Sequence, residues 1–157
     1  MSKEQDRPTI NRNVHPPIVA LIFIAVAFVL GRFMFASFMA PSVLRNVGFA
    51  LTFIGLLCGV GAFLEFRKAR TTLDPHGSTK QLVTSGIYRF TRNPIYLGFL
   101  LMVIGFPLNS GFYSGIVVAP FFALTLNRLV IEKEEAYLEK KFKDVYTSYK
   151  SRVRRWL

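Results

Sequence analysis

Residues 47–66 read VGFALTFIGLLCGVGAFLEF, a run long and apolar enough to decide the fold class. An α-helix rises about 1.5 Å per residue, so roughly 20 residues cross the ~30 Å hydrocarbon core of a bilayer. The run therefore predicts a transmembrane helix. Small residues recur along it at helical spacing, at Gly48, Thr52, Gly55, Gly59 and Ala62. Such a face favours close helix packing, either within the chain or against a second copy.

A second apolar run, residues 18–40, precedes this helix and is interrupted only by Arg32. Arg32 lies near the end of the predicted helix, where a long basic side chain can reach the membrane interface. The polar head, residues 1–17, ends in Pro16-Pro17, which stops regular structure from entering the span. A cleavable signal peptide is the competing interpretation. The polar head and the lack of a small-x-small cleavage signal disfavour it.

Two shorter apolar arms, residues 95–108 and 112–126, follow a polar loop at 67–93. Each arm makes roughly 21 Å of helix, so a short hairpin held by the first two helices is expected. We predict an all-α integral membrane protein with about four transmembrane helices and a C-terminal amphipathic helix. Residues 1–157 are expected to form one domain: the head, two spans within 18–66, and the loop, hairpin and C-terminal helix within 67–157.

Apart from Arg32, the basic residues lie outside the apolar runs. Lys and Arg number 20 against 9 acidic residues, while 52% of the chain is hydrophobic. Nucleic-acid-binding proteins carry such charge on a polar fold, so no nucleic-acid partner is expected. Four spans with both termini and the 67–93 loop on one side place 18 of the 20 basic residues there. The positive-inside rule makes that side cytoplasmic, and we expect a prokaryotic cytoplasmic membrane.

Other classes of site lack support in this sequence. The single cysteine, Cys58, lies in an apolar run, and the two histidines, His15 and His76, are far apart. No intramolecular disulfide is possible, and no metal site is predicted. GxGxxG, GxxxxGK[ST] and HExxH motifs are absent from the sequence, so dinucleotide-fold, P-loop and zincin enzymes are not supported.

The segment from Asn127 onward has the pattern of an amphipathic helix with a carboxylate on its apolar stripe. Its other face is rich in lysine, which is typical of a helix on an anionic bilayer surface. Glu132 and Glu134 favour a helix start and i+4 pairs with lysine. Glu135 fills a gap in the stripe, so it needs a ligand hydroxyl or ammonium, or an arginine from the 67–93 loop. The stripe consists of Ile131, Leu138, Phe142, Val145, Tyr149, Val153 and Trp156.

The stretch LVTSGIYRFTRNPIYLG, residues 82–98, concentrates polar groups at the start of the third span. Arg89 and Arg92 suit carboxylate or phosphate recognition, and the rings of Tyr88 and Tyr96 suit a cationic ligand. The plainer interpretation is a positive-inside boundary with interfacial aromatic residues. The density of two guanidiniums, two phenols and an amide within nine residues exceeds what such a boundary requires.

This stretch, followed by a basic C-terminal helix with the pair Glu134-Glu135, resembles the isoprenylcysteine carboxyl methyltransferase and phospholipid methyltransferase superfamily. Small prokaryotic members of that superfamily are the most similar. The resemblance covers about residues 69–157, from ARTTLDP (69–75) through the 82–98 stretch to EEAYLEKKFKDVYTSYKSRVRRWL (134–157). The first two spans match only as hydrophobic helices.

The resemblance implies an integral membrane methyltransferase that uses S-adenosylmethionine without a Rossmann domain and releases S-adenosylhomocysteine. The loop before the penultimate helix and the C-terminal helix would enclose this cofactor. The implied catalytic residues are Arg89, Arg92 and Asn93, with one arginine holding the methionyl carboxylate or an anionic headgroup. The implied cofactor-binding residues are Leu82, Val83, Gly86, Tyr88, Arg92, Asn93, Pro94, Tyr96, Leu97, Gly98, Glu134 and Glu135.

Two positions depart from the pattern of the superfamily. Many relatives have His where Asn93 stands, so proton chemistry that depends on His is not expected here. Many relatives also have Phe-Gly where this chain has Phe142-Lys143, which changes the turn expected there.

Three functions remain open. Membrane sterol-type reductases have a similar arginine-rich loop and use NADPH, but the Glu134-Glu135 pair favours the methyltransferase branch. A non-enzymatic scaffold that binds anionic lipid is disfavoured by the inward position of Glu135. For the methyltransferase, the expected partners are membrane lipids and a lipophilic acceptor, either an isoprenylcysteine-type carboxylate or a phospholipid amine. The choice among O-, N- and S-methylation and the oligomeric state stay open.

Overall fold

The computed structural model describes residues 14–34, 39–70 and 81–157, and the regular elements in these ranges are all helical. The helices are α1 (Pro16–Met34), α2 (Ser42–Lys68), α3 (Pro94–Asn109), α4 (Ser114–Leu126) and α5 (Glu132–Arg152). A 3-10 turn (Gly86–Arg89) precedes α3, and a π-helical segment (Asn127–Ile131) joins α4 to α5. Predictions for residues 1–13, 35–38 and 71–80, including most of ARTTLDP, lie outside the described residues.

The predicted all-helical membrane architecture is confirmed. Among the described residues, three helical stretches are long and apolar enough to cross a membrane: α1, α2 and Ser114–Arg152, the last of which includes a break in α5. Helix α3 is apolar but shorter, as expected for one arm of the hairpin. Because α4 runs through the π-helical segment into α5, the amphipathic helix is an extension of the last span.

Helices α2 and α3 pack backbone to backbone through glycines. A Cβ atom built on Gly55 would lie 2.7 Å from the carbonyl oxygen of Gly98, and one on Gly48 would lie 2.8 Å from that of Gly105. Contacts this short leave no room for a side chain, so the small-residue face of α2 serves packing within the chain. Gly59 is different, because no atom of a described residue lies within 4 Å of a Cβ built on it.

A second interface joins α3 to α1 and α4. Phe23 of α1 and Phe122 of α4 meet edge to face, with ring centroids 5.4 Å apart. The Ser114 hydroxyl donates a hydrogen bond to the carbonyl oxygen of Ala27 and so ties the start of α4 to α1. The buried core of this side comprises Ala20, Ala27, Tyr96, Val103, Val118, Phe122, Leu126, Val130 and Ile131.

Helix α5 contains a break that the sequence pattern did not predict. Lys143 has φ 44° and ψ −122°, which is not helical. The next buried residue after it lies one position later than the pattern predicts. Val145, predicted to face inward, is 65% exposed, whereas Tyr146 is buried. The helix also ends at Arg152, with Val153 in an extended conformation. The prediction of one continuous helical stripe to Trp156 was therefore wrong at Val145 and after Arg152, whereas Tyr149 is buried as predicted.

Candidate functional site

The candidate site lies where the 81–93 loop, the start of α3, the start of α5 and the segment after α5 meet. Glu135 is at its centre. One carboxylate oxygen, Oε1, lies 3.0 Å from Nη2 of Arg92 and accepts a 3.1 Å hydrogen bond from Nε of Arg155. The other, Oε2, accepts a 2.7 Å hydrogen bond from Nη2 of Arg155. The inward carboxylate therefore has an arginine of the loop as partner, one of the two solutions left open, and a second arginine besides.

The pairing with Glu135 leaves part of the buried Arg92 guanidinium without a hydrogen-bond partner among the described residues. Its side chain is 9% exposed. Its Nε and Nη1 atoms are buried, and neither has a hydrogen-bond partner among the described residues. Unpaired donors on a buried cation are costly, so these two atoms are the group at the site that most needs an anionic or polar ligand.

Glu134 has surroundings unlike those of its neighbour. Its Oε1 accepts a 2.7 Å hydrogen bond from the hydroxyl of Tyr96. Within the described ranges it forms no ion pair, and the lysine pairing predicted for it is not present. Adjacent positions of one helix thus present one carboxylate held by two cations and one held by a phenol.

The loop is anchored to α2 through Glu65. The Ser85 hydroxyl and the Lys68 ammonium both donate to this carboxylate, the latter at 2.7 Å. Gly86 packs on the same side chain with φ +57°, and a Cβ built there would lie 2.5 Å from Cδ of Glu65. A side chain at position 86 would be disfavoured by both the conformation and the contact.

The 3-10 turn is also held by α5. The hydroxyl of Tyr149 donates a 2.7 Å hydrogen bond to the backbone carbonyl of Tyr88. The Tyr88 ring packs edge to face on Phe66 of α2, with centroids 5.7 Å apart. Burial raises the pKa of the Tyr88 phenol well above its usual range. Tyr88 is therefore a neutral part of the wall between α2 and α5.

The segment 153–157, called the strap below, folds back over the loop. The amide of Arg92 donates a 3.0 Å hydrogen bond to the carbonyl of Arg154. The carbonyl of Arg155 accepts hydrogen bonds from the Thr91 hydroxyl at 3.2 Å and from the Asn93 side-chain amide at 3.0 Å. The hydrogen bond to Glu135 raises the pKa of the Arg155 guanidinium, which stays charged.

The side-chain amide of Asn93 is used in the hydrogen bond to the carbonyl of Arg155. Asn93 stands at the N-cap of α3 ahead of Pro94, yet its side chain makes no capping hydrogen bond, because the amide is turned toward Arg155. The geometry favours a positioning role for this residue over the catalytic role predicted from the sequence.

The structure brings some of the predicted residues together and leaves others apart. Arg92 and Glu135 form a pair, as do Tyr96 and Glu134, whereas Arg89 is exposed and outside both. Gly86 faces Glu65, and Gly98 faces Gly55 of α2. Of the predicted residues, Val83, Tyr88, Asn93, Pro94, Tyr96, Leu97, Gly98 and Glu135 are buried, Leu82, Arg92 and Glu134 are partly buried, and Gly86 and Arg89 are exposed.

Two residues of the site were missed by sequence reasoning. Glu65 is the only carboxylate within the apolar run 47–66, and a charge in such a run needs a partner, so a signal for it was present. Arg155 carries no comparable signal. Nothing in VRRWL distinguishes it from Arg152 or Arg154 before the strap is seen to fold back.

Comparison with known proteins bears on the family. The sequence profile of the phospholipid methyltransferase family matches residues 43–145. An uncharacterized protein of Haemophilus influenzae is 42% identical over 66 residues, which cover 40% of this chain and 100% of that protein. The protein-S-isoprenylcysteine O-methyltransferase of Schizosaccharomyces pombe is 35% identical over 75 residues, or 46% of this chain and 30% of the yeast protein.

The matched residues include α2, the loop with Arg92, and the Glu134-Glu135 pair. The family and the apolar helices together identify an integral membrane protein of methyltransferase type. The resemblance seen in residues 82–98 and 134–135 is thereby confirmed, and the chain belongs to the phospholipid methyltransferase family.

Proposed function

We propose that this protein transfers a methyl group from S-adenosylmethionine to a lipophilic acceptor at the membrane. The observation that carries the proposal is the Arg92 guanidinium. It is buried beside Glu135 with Nε and Nη1 unpartnered among the described residues. Buried guanidinium N–H groups without partners suit a carboxylate, and the amino acid part of S-adenosylmethionine has one.

The remaining groups at the site fit the other parts of the same molecule. Glu134, with one oxygen bonded by Tyr96 and no cation paired in the described ranges, can accept hydrogen bonds from an ammonium or a ribose diol. The rings of Tyr88 and Tyr96 offer faces that favour a cation such as a sulfonium. When bound, S-adenosylmethionine supplies a methyl group on an already activated carbon. The chain's own task is then positioning and exclusion of water.

The acceptor is proposed to enter from the bilayer, because the helices that carry the site expose apolar side chains to lipid. An isoprenylcysteine-type carboxylate and a phospholipid amine are the two candidate classes. A carboxylate is methylated without a general base, whereas a protonated amine must first lose a proton. An amine acceptor is therefore expected to lose rate as the pH falls below the pKa of its ammonium, whereas a carboxylate acceptor keeps its rate until it is protonated at a much lower pH.

The site is proposed to face the cytoplasm. The positive-inside rule orients the 67–93 loop and both ends of the chain to the same side. Arg92 of the site belongs to that loop, and Arg155 lies in the C-terminal segment that folds over it.

Isothermal titration of the detergent-purified protein with S-adenosylhomocysteine tests the proposal, with NADPH as the parallel titrant. Micromolar binding of S-adenosylhomocysteine alone is the expected result, and transfer of a labelled methyl group to a lipid extract would follow. Binding of NADPH alone would replace the proposal with the reductase. Binding of neither would favour the lipid-binding scaffold.

A further inference from the structure

The strap connects two parts of the site that α5 alone does not join. Its backbone accepts hydrogen bonds from three consecutive loop residues, Thr91, Arg92 and Asn93. Its Arg155 side chain then reaches Glu135 on the first turn of α5. Trp156 packs against the core formed by α1, α3 and α4. The segment is therefore built into the site along its length.

The hydrogen bonds from Arg155 limit the number of contacts that Glu135 can make with Arg92. Arg155 takes Oε2 of Glu135 at 2.7 Å and shares Oε1 at 3.1 Å. Glu135 is left with a single contact to Arg92, from Oε1 to Nη2 at 3.0 Å. A carboxylate and a guanidinium otherwise prefer a two-bond fork. Arg155 thus prevents Glu135 from occupying a second nitrogen of Arg92.

The charge of the cluster supports the same conclusion. Two guanidiniums share one carboxylate, so the cluster of Arg92, Arg155 and Glu135 has a net positive charge, and the additional electrostatic interaction with Glu132 acts on Arg155. The Arg92 side chain is 9% exposed and that of Arg155 is 32% exposed. Water therefore screens the charge of Arg92 less than that of Arg155. The unpartnered Nε and Nη1 atoms are on this more buried guanidinium.

We propose that Arg155 is a positioning residue of the methyl-donor site, which holds Glu135 away from a fork with Arg92 and so keeps Arg92 open for a ligand carboxylate. The proposal rests on the proposed function and extends the site to the strap. Without Arg155, Glu135 turns to pair with Arg92 through both oxygens. The ligand carboxylate then has to compete with a carboxylate of the protein.

The test compares a ligand that has this carboxylate with a ligand that lacks it. S-adenosylhomocysteine has it, and 5′-methylthioadenosine shares the nucleoside and thioether but lacks the whole amino acid end. In Arg155→Ala we expect the affinity for S-adenosylhomocysteine to fall roughly tenfold or more, as for loss of a hydrogen bond to a charged group. The affinity for 5′-methylthioadenosine should change less than about twofold. Arg155→Lys keeps the charge but not the fork and should lie between Arg155→Ala and the wild type.

Arg152→Ala is the matched control, because Arg152 is exposed and its hydrogen bond among the described residues lies within its own helix, to the carbonyl of Ser148. An equal loss for both ligands in Arg155→Ala would mean that the strap merely supports the fold, and no loss for either would mean that it is dispensable. Either result overturns the proposal.

Hydrogen exchange separates failure of this inference from failure of the proposed function. If the wild type binds neither ligand, the proposed function fails. The strap is then judged by the amide of Arg92, which the carbonyl of Arg154 protects in the structure. Faster exchange across residues 88–93 in Arg155→Ala supports the coupling of strap and loop. Exchange like that of the wild type overturns it.

Discussion

The hydroxyl of Tyr96, in the first turn of α3, donates a 2.7 Å hydrogen bond to Oε1 of Glu134, in the first turn of α5. This contact joins the helix after the loop to the helix with both site carboxylates. Tyr96→Phe removes the donor and leaves a buried carboxylate oxygen without it, so a loss of about 1–2 kcal/mol in stability is expected. Denaturation in mixed micelles measures it. Tyr113→Phe, at a tyrosine outside the site, should cost less, and equal values for the two variants would contradict the importance of the contact.

Glu135→Ala is expected to abolish binding of S-adenosylhomocysteine while the protein stays inserted in the membrane and folded. The reason is that Glu135 is the acceptor that fixes the Arg92 guanidinium in the site. Without it, Arg92 and Arg155 lose the carboxylate that they share, so stability should also fall. Titration calorimetry and circular dichroism of the same sample measure both effects. Lys140→Ala, on the exposed face of α5, should change neither. Wild-type affinity in Glu135→Ala would contradict the assignment.

The structure separates the two arginines that the sequence treats alike. Arg92 is buried with unpartnered nitrogens, whereas Arg89 is exposed. Arg92→Ala should therefore abolish binding or turnover, and Arg89→Ala should change the affinity for S-adenosylhomocysteine less than about twofold. A loss in Arg89→Ala as large as in Arg92→Ala would restore the sequence-based hypothesis that either arginine holds the carboxylate.

The sequence predicted the helices well because bilayer thickness imposes a length and an apolar composition that are visible along the chain. It also predicted that Glu135 requires a partner. It could not identify Arg155, because that contact depends on where α5 ends and how the next residues turn. The prediction that Val145 faces inward was wrong for a similar reason. Lys143 lies outside helical φ/ψ space, and Tyr146 is buried in place of Val145, whereas Tyr149 is buried as predicted.

Lys143 occupies a conformation that glycine adopts more readily, with φ 44° and ψ −122°. The helix thus breaks at Phe142-Lys143, where the sequence departs from the Phe-Gly pattern of the superfamily. Lys143→Gly is expected to stabilise the protein by about 1 kcal/mol, since the strain of a side chain at such a position is of that order. Lys140→Gly, within regular helix, should instead destabilise it by about 1 kcal/mol. Destabilisation by both changes would show that the break at Lys143 carries no strain.

Gly55 and Gly59 of α2 are one helical turn apart yet have opposite surroundings. A Cβ on Gly55 would lie 2.7 Å from the carbonyl oxygen of Gly98, whereas a Cβ on Gly59 meets nothing within 4 Å among the described residues. Gly55→Ala should therefore force α2 and α3 apart and cost about 1–3 kcal/mol. Gly59→Ala should be neutral or stabilise by up to about 1 kcal/mol, because alanine is the better helix former.

Unfolding in mixed micelles at two protein concentrations measures both glycine variants. Equal losses in the two would contradict the close contact between α2 and α3. A loss in Gly59→Ala that shrinks on dilution would show that Gly59 packs against a second copy, because a contact between chains stabilises the wild type more at higher concentration. The pair therefore tests both the packing within the chain and the oligomeric state that the glycine pattern alone leaves open.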